Sequence, residues 1–212
     1  MEGVVAEQVR GRGPERRRGE VLLRAVHEAV LAEVAEVGLG QLTMEGIARR
    51  AATAKTSLYR RWSNPQDLLL DALHDAHPVE EPSPSGDDLR ADLITALTLL
   101  VEWLTSPAAN AVKAIMTERR RYPDLAEALY ERVFDPRGGT FTHTVLRHYA
   151  EQGTIDSRLL TPIVFQIGEA LVFKLLVDLD RFPTHDELAA IVDQAILPAV
   201  GVPRDAATVA EA

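Results

Sequence analysis

Residues Leu42–Trp62 read LTMEGIARRAATAKTSLYRRW, and this stretch decides the fold. Thr43 is suited to cap a short helix over Met44–Ala51, since its hydroxyl can accept a hydrogen bond from the backbone of the first turn. A break at residues 52–54 separates that helix from a second one over Lys55–Trp62. Two short helices joined by a tight turn have the layout of a helix-turn-helix, whose second helix enters the major groove of DNA.

The second helix has an apolar side and a polar side. Leu58 and Trp62 are four residues apart and can face a core. The other side chains are hydroxyls, a phenol and cations, which suit hydrogen bonds to phosphates and base edges: Lys55, Thr56, Ser57, Tyr59 and Arg60. Core packing is the alternative for the two aromatic residues, and we favour it for Trp62. The layout by itself is a weak signal, because many pairs of helices share it.

Charge is divided unevenly along the 212 residues, whose formal net charge is −9. An acidic total argues, taken alone, against a nucleic-acid partner. Arg10–Trp62, however, holds 11 Lys and Arg against 6 Asp and Glu, a balance of +5. Ser63–Ala212 holds 12 against 24, a balance of −12. A basic first quarter on an acidic body indicates two roles in one chain. A chance cluster on a solvated face is the alternative.

Helical spacing continues along the rest of the chain, with no convincing strand. We expect an all-α protein of about nine helices. Ser157–Leu179 is apolar nearly all round, so we expect it to be buried on most sides. The expected bounds are Arg16–Val37, Met44–Ala51, Lys55–Trp62, Pro65–Asp75, Asp87–Thr105, Ser106–Arg119, Tyr122–Gln152 with Gly138-Gly139 able to interrupt it, Ser157–Leu179 and Thr184–Val200.

Several classes of protein find no support in the sequence. The absence of Cys excludes a disulfide scaffold and a thiolate zinc site. Uncharged runs such as Leu159–Gly168 are too short for a membrane helix, and the N-terminus lacks a signal core, so we expect a cytoplasmic protein. No G-x-S-x-G, G-x-x-x-x-G-K or G-x-G-x-x-G is present. We therefore predict no catalytic residue, no metal site and no cofactor.

The second half of the chain contains candidates for a small-molecule site. Its middle helices carry more apolar and aromatic residues than a small bundle needs, with isolated polar groups between them. An ordinary core is the alternative for any one of them, and Glu169 could equally be a paired interface charge. An acidic pocket would favour a cationic or neutral ligand. The candidates are Trp103, Met116, Phe134, Phe141, Phe165, Gln166, Glu169 and Phe173.

Residues Leu42–Leu73 closely resemble the DNA-binding module of the TetR family of bacterial transcriptional regulators. The matching features are Thr43 before the second helix, Ile47-Ala48 within it, Leu58-Tyr59 in the third, and Trp62 closing it. A Leu-rich fourth helix follows. Two departures stand out: Ala52 replaces the usual glycine of the turn, and Pro65 replaces a lysine that often reaches phosphate.

The resemblance implies a role for each matching residue. Thr43 and Lys55 would hold phosphates, and Tyr59 would lie against the backbone or a thymine methyl. Base reading would fall to Thr56, Ser57 and Arg60. Arg60 and Arg61 could compensate for the missing lysine. A basic arm, Arg10–Arg18, could reach phosphates or the minor groove, with a solvated tail as the alternative.

The resemblance also implies an organisation and a mechanism. The domains would be a basic arm with a three-helix DNA-binding domain at 1–62, a linking helix at 63–76, a linker loop at 77–86, a helical ligand-binding and dimerisation domain at 87–201, and a tail at 202–212. A homodimer formed through the last two helices would bind a near-palindromic operator. A largely apolar effector would release it, as is usual for a repressor. The alternatives are an all-α small-molecule-binding protein or an adaptor bundle, neither binding DNA.

Overall fold

The computed structural model describes residues 14–78, 88–134 and 141–202, and these ranges contain ten helices and no strand. The chain divides into two compact units, with the boundary between Ala72 and Leu73. Residues 10–13 of the basic arm fall outside the described ranges, whereas its last five residues, 14–18, begin the first helix. Most of the expected linker loop and tail also fall outside these ranges. None of the described helices is long and apolar enough to cross a membrane.

The N-terminal unit is built from four helices, of which the last crosses the unit boundary. They are α1 (Pro14–Val37), α2 (Met44–Arg50), α3 (Lys55–Tyr59) and α4 (Pro65–Ala76), with a single 3-10 turn at Leu39–Gln41. Gly38, at φ 75°, ends α1 in a left-handed conformation that glycine adopts without strain. Thr43 caps α2 as expected, because its hydroxyl accepts the backbone N–H of Gly46 at 3.1 Å.

The core of this unit is apolar with one buried charge. Val30, Ile47 and Leu68 have no measurable exposure. Glu33 of α1 is only 4% exposed, and its carboxylate accepts a hydrogen bond from Nε of Arg50 on α2 at 2.8 Å. This pair ties α1 to α2 and supplies the partner that a buried carboxylate requires.

The C-terminal unit holds the remaining six helices. They are α5 (Leu89–Leu104), α6 (Pro107–Thr117), α7 (Pro123–Leu129), α8 (Phe141–Glu151), α9 (Pro162–Leu179) and α10 (His185–Ile191). Two of them continue into wider π-type turns: α7 into Tyr130–Phe134, and α10 into Val192–Ile196 before a last α turn at Leu197–Ala199. The single helix expected over Tyr122–Gln152 is therefore seen as two described helices, α7 and α8, on either side of residues 135–140.

The packing of the last two helices differs from the sequence prediction. In α9 only Gly168 and Val172 are buried, whereas Ile163 is 72% and Val177 is 77% exposed. The expectation that this helix is buried on most sides is wrong for the single chain. In α10 the apolar side chains are instead buried within the unit: Leu188, Ile191, Val192, Ile196 and Leu197. The subunit's own core therefore uses the apolar face of α10 and leaves one face of α9 uncovered.

Candidate nucleic-acid interface and interior cavity

The turn between α2 and α3 holds alanine in a conformation that alanine disfavours. Ala52 has φ 50°, in the left-handed region. A hydrogen bond from the backbone N–H of Thr53 to the carbonyl of Ala48, at 3.0 Å, closes the turn. For an L-residue other than glycine, left-handed backbone costs about 1–2 kcal/mol, because Cβ approaches the following carbonyl oxygen. The tight turn is thus kept despite the loss of the expected glycine.

The inner side of α3 is anchored to the rest of the N-terminal unit. Leu58 is 1% exposed and Trp62 is 7% exposed, in agreement with the prediction that both face the core. The indole N–H of Trp62 donates to Oδ2 of Asp71 on α4 at 3.0 Å. The same oxygen lies 3.2 Å from Nε2 of His27, a buried residue of α1. The end of α3 is therefore held by both α1 and α4.

The outer side of α3 presents the predicted DNA contacts to solvent. Tyr59 is 52% exposed, which excludes core packing for its ring. The helix ends at Tyr59, earlier than expected, so Arg60 and Arg61 lie in the following turn. The Arg61 guanidinium lies 5.0 Å from the centre of the Trp62 ring, within cation–π range. The exposed members of the predicted set are Thr43, Lys55, Thr56, Tyr59, Arg60 and Arg61, and Ser57 is half-buried.

A shallow depression of about 430 Å³ brings the two helices of the motif together on this side. Thr43 before α2 and Lys55 and Tyr59 of α3 all line it, although they are far apart in the sequence. Lys55 Nζ lies 3.7 Å from Glu45 Oε2 and 5.8 Å from the centre of the Tyr59 ring. Pro65, where the resemblance expects lysine, is also part of the lining. A hydroxyl, a phenol and a cation around one depression suit a backbone phosphate.

The adjacent residues Arg49 and Arg50 have different environments. Arg49 is exposed and lines the depression, so it adds a cation that the sequence analysis did not select. Arg50 donates to the carboxylates of Glu33 and Glu36, and these bonds raise the pKa of its guanidinium. The signal that separates the two is the helical register relative to α1, which the α2 sequence alone does not contain.

The start of α3 lacks a side-chain cap. Ala54 is the residue before the helix, and no side chain bonds to the first-turn N–H groups. The neighbouring Thr53 does not take over this role. Within the first turn, the backbone N–H of Ser57 donates instead to the carbonyl of Ala54 at 2.9 Å.

The C-terminal unit contains a cavity of about 470 Å³, within the usual range for small-molecule sites. Seven of the eight residues predicted to bind a ligand line this cavity. They are Trp103, Met116, Phe134, Phe141, Gln166, Glu169 and Phe173. The eighth, Phe165, stacks on His143 with ring centres 3.6 Å apart and is not part of the lining. Burial first, and the nearby Arg147 charge second, lower the pKa of His143.

Four residues of the lining were not among the predicted set: His77, Leu100, Val112 and Tyr130. His77 was assigned to the linker loop, but it is 4% exposed and packs among aromatic rings of the C-terminal unit. Its ring centre lies 5.6 Å from that of Trp103, 5.4 Å from Phe134 and 5.8 Å from Phe141. No local signal distinguishes it, because the sequence around it, HPVEEPSPSG, has loop composition. Only contacts with distant residues show its role.

Both parts of the chain match known protein families. Residues 28–72 match the family described as "Bacterial regulatory proteins, tetR family", and residues 83–195 match "Tetracyclin repressor-like, C-terminal domain". The DNA-binding transcriptional repressor TetR of Mycobacteroides abscessus is 30% identical over 177 residues, or 82% of each chain. An HTH-type transcriptional regulator of Mycobacterium tuberculosis is 27% identical over 166 residues, or 78% of this chain and 81% of the relative.

Solved structures give the same fold. The TetR family transcription regulator SCO0332 matches with a TM-score of 0.57 and 23% identity, over 87% of this chain and 99% of that one. A TetR-family transcriptional regulator from Haemophilus influenzae matches with a TM-score of 0.52 and 17% identity, over 90% and 100%. At these identities the likeness establishes the fold alone.

The buried anchor of α3, its exposed polar side and the attached helical unit define a helix-turn-helix DNA-binding regulator. The chain belongs to the TetR family of bacterial transcriptional regulators, as its two domain matches and its relatives show. Members of this family are regulators of transcription and not enzymes. Such regulators bind operator DNA and small-molecule effectors, typically as dimers.

Proposed function

We propose that this protein is a homodimeric repressor that binds a near-palindromic operator and is released from it by a small molecule. The exposed polar side of α3 is the observation that carries the proposal. Base reading falls to Thr56, Ser57 and Arg60, and phosphate contacts fall to Thr43, Lys55 and Arg61, with Tyr59 against the backbone or a thymine methyl. Arg49 joins the phosphate contacts because it lines the same depression. A protein that binds operator DNA in this way would act in the cytoplasm.

The uncovered face of α9 supports dimerisation. Ile163, Gln166, Ala170, Phe173 and Val177 are all exposed, and they recur at alternating steps of three and four residues. That spacing places them in one stripe along the helix, the pattern of a helix–helix seam. Beside it α10 offers small, half-exposed residues that allow close approach: Ala189, Ala190, Ala195 and Ala199. Two copies of α9 and α10 would form a four-helix bundle.

The dimer relates the two α3 helices to the two halves of an operator. Half-sites in such complexes lie roughly 34–36 Å apart, one turn of DNA. An effector bound in the cavity that favours a different spacing shifts the population away from the DNA-competent state. The helix α4 runs from one unit into the other, so it is the segment through which we expect the change to pass.

Selection of bound DNA from a random pool by the purified protein tests operator binding. We expect enriched sequences with two inverted half-sites one helical turn apart. Binding of the selected DNA should weaken with salt by a slope of about −0.9 per phosphate contact. The change Arg60→Ala should reduce the affinity and relax the preference at one position of each half-site.

The change Arg120→Ala is the matched control, because Arg120 is an exposed cation after α6, in the other unit. It should leave both affinity and preference unchanged. Unaltered binding by the Arg60 variant, or a pool without enriched sequences, would refute the proposed mode of binding.

A further inference from the structure

The cavity of the C-terminal unit is lined mainly by aromatic rings. Trp103 and Phe141 lie 5.7 Å apart between ring centres, and Tyr130 and Phe134 lie 5.4 Å apart at nearly a right angle. All four line the cavity, and Phe173 of α9 completes the aromatic set. Aromatic faces carry partial negative charge, so rings arranged around a cavity attract a cation. Their arrangement therefore favours a positively charged occupant.

The charged groups of the lining also favour a cation. Glu169 is a half-buried carboxylate and belongs to the lining. Among the described residues that line the cavity, it is the sole carboxylate, and none is Lys or Arg. An organic anion would meet the carboxylate and the ring faces at a desolvation cost, and among the described lining residues only the imidazole of His77 could oppose it with positive charge. A lipophilic cation would be attracted by both.

A hydrogen-bond donor lies in the same lining. The indole Nε1 of Trp103 is buried and has no hydrogen-bond partner among the residues that the structure describes. Buried N–H groups nearly always have an acceptor. This atom has almost no accessible surface, so an occupant with an acceptor would reach it after a shift of the Trp103 side chain.

We propose that the effector of this regulator is a lipophilic organic cation, held by the aromatic rings and Glu169 and able to accept a hydrogen bond from Trp103. The inference deepens the proposed function, because it names the chemistry of the effector site. Positive charge spread over a bulky, apolar molecule fits a cavity of about 470 Å³ better than a small hydrated amine does.

Three probes of nearly the same shape separate charge from apolarity. Tetraphenylphosphonium is a cation, tetraphenylborate is its anionic counterpart, and triphenylphosphine oxide is neutral with a strong acceptor. Titration calorimetry on the full chain should show the phosphonium binding at one site per subunit, at least about tenfold tighter than the borate, a difference of about 1.4 kcal/mol. Equal or tighter binding of the borate, or no binding of the phosphonium by folded protein, would overturn the proposal.

Glu169→Gln keeps the shape of the side chain and removes its charge. This variant should bind the phosphonium about tenfold more weakly, whereas its affinity for the phosphine oxide should change by less than about twofold. Asp178→Asn is the matched control, since Asp178 is an exposed carboxylate on the same helix and does not line the cavity. An equal loss in both variants, or none in Glu169→Gln, would contradict a specific role for Glu169.

Trp103→Phe keeps an aromatic ring and removes the N–H. This variant should bind the phosphine oxide more weakly. Its affinity for the phosphonium should be nearly unchanged, because the phosphonium has no acceptor. An unaltered affinity for the phosphine oxide would exclude the hydrogen bond from the proposal.

Operator binding by the same preparations separates this inference from the proposed function. Phosphonium binding without release of DNA would confirm the cation site and refute the effector role. DNA binding by a protein with no affinity for the phosphonium would be consistent with the proposed function and would refute the proposal of a cationic effector.

Discussion

Single residues in and around the α2–α3 motif hold it in place, and one of them carries backbone strain. Ala52 is held in left-handed backbone, and Glu33 is a buried carboxylate that depends on Arg50. Asp71 accepts a hydrogen bond from the Trp62 indole and lies beside His27, so one oxygen links α1 and α4 to the turn after α3. These residues position the exposed side of α3 although none of them belongs to it.

Replacing Ala52 by glycine should stabilise the N-terminal unit. The change removes about 1–2 kcal/mol of left-handed strain and adds about 0.5–1 kcal/mol of chain entropy to the unfolded state. We expect a net gain of about 0.5–1 kcal/mol in the free energy of unfolding, measured in urea. Ala51→Gly is the control, because Ala51 has φ −78° and should lose stability. A loss at both positions would argue against strain at Ala52.

Arg49 and Arg50 should respond oppositely to replacement by alanine. Arg50→Ala leaves the Glu33 carboxylate without its cation, and we expect a loss of about 2 kcal/mol in unfolding free energy. The loss is smaller than for a fully buried pair, because the Arg50 side chain is 32% exposed. Arg49→Ala should leave stability unchanged and reduce the salt slope of operator binding by about 0.9. Urea unfolding and salt-dependent DNA titrations of the two variants test these expectations. A loss of stability in Arg49→Ala with none in Arg50→Ala would contradict the roles given to the two residues.

At the scale of elements, α10 and α3 differ in how their first turns are held in place. Thr184 and Glu187 form a capping box at the start of α10, with the Thr184 backbone N–H donating to Glu187 at 2.8 Å. By contrast, α3 begins without a side-chain cap. The helix held by its own cap packs in the core, whereas the uncapped one depends on Leu58 and Trp62 for its position.

The capping box of α10 should make stability depend on pH. Hydrogen bonds from Arg181 first, and from the Thr184 backbone second, lower the pKa of Glu187 from 4.5 to about 2. A lowered carboxyl pKa stabilises the fold above the unfolded value, and the contribution is lost as pH falls from about 4.5 to 2. Glu187→Gln should therefore flatten the loss of stability in that window, as measured by urea unfolding. Glu151→Gln, at the exposed end of α8, should leave the slope unchanged, and equal flattening in both would contradict the role of the cap.

At the scale of the molecule, charge and apolar surface have separate places. The acidic part of the chain begins after Trp62, so the basic α2–α3 region is the surface expected to approach DNA. The uncovered apolar stripe belongs to α9 of the other unit. In the proposed function, the polar surface meets nucleic acid and the apolar stripe meets a second copy of the chain.

Placing a charge in the α9 stripe should prevent dimerisation. Val177→Glu puts a carboxylate at a 77% exposed position, close to its symmetry mate in the proposed bundle. We expect a monomer by analytical ultracentrifugation, with unchanged helical content and at least about tenfold weaker operator binding. Thr95→Glu introduces the same charge at an exposed position of α5 and should remain dimeric. A dimeric Val177 variant would place the interface elsewhere.

Sequence reasoning was most successful where the signal is local. The spacing of Leu58 and Trp62 and the cap at Thr43 are each contained within about one turn of helix, and both were predicted. It was least successful where partners are distant in sequence. An apolar helix has the same sequence whether its own subunit or a partner covers it, so the sequence did not show which face of α9 the single chain leaves uncovered. The places of His77 and Phe165 depend on which helices pack together, and helical periodicity does not contain that information.

Phe173 lies both in the lining of the cavity and on the uncovered stripe of α9, and it is 44% exposed in the single chain. In the proposed dimer one ring would therefore take part in two equilibria, occupancy of the cavity and association of the subunits. Thermodynamic reciprocity then applies: whatever factor the effector changes in the dimerisation constant, dimerisation must change in the affinity for the effector. The sensitivity of the regulator to its effector would then vary with the cellular concentration of the regulator itself.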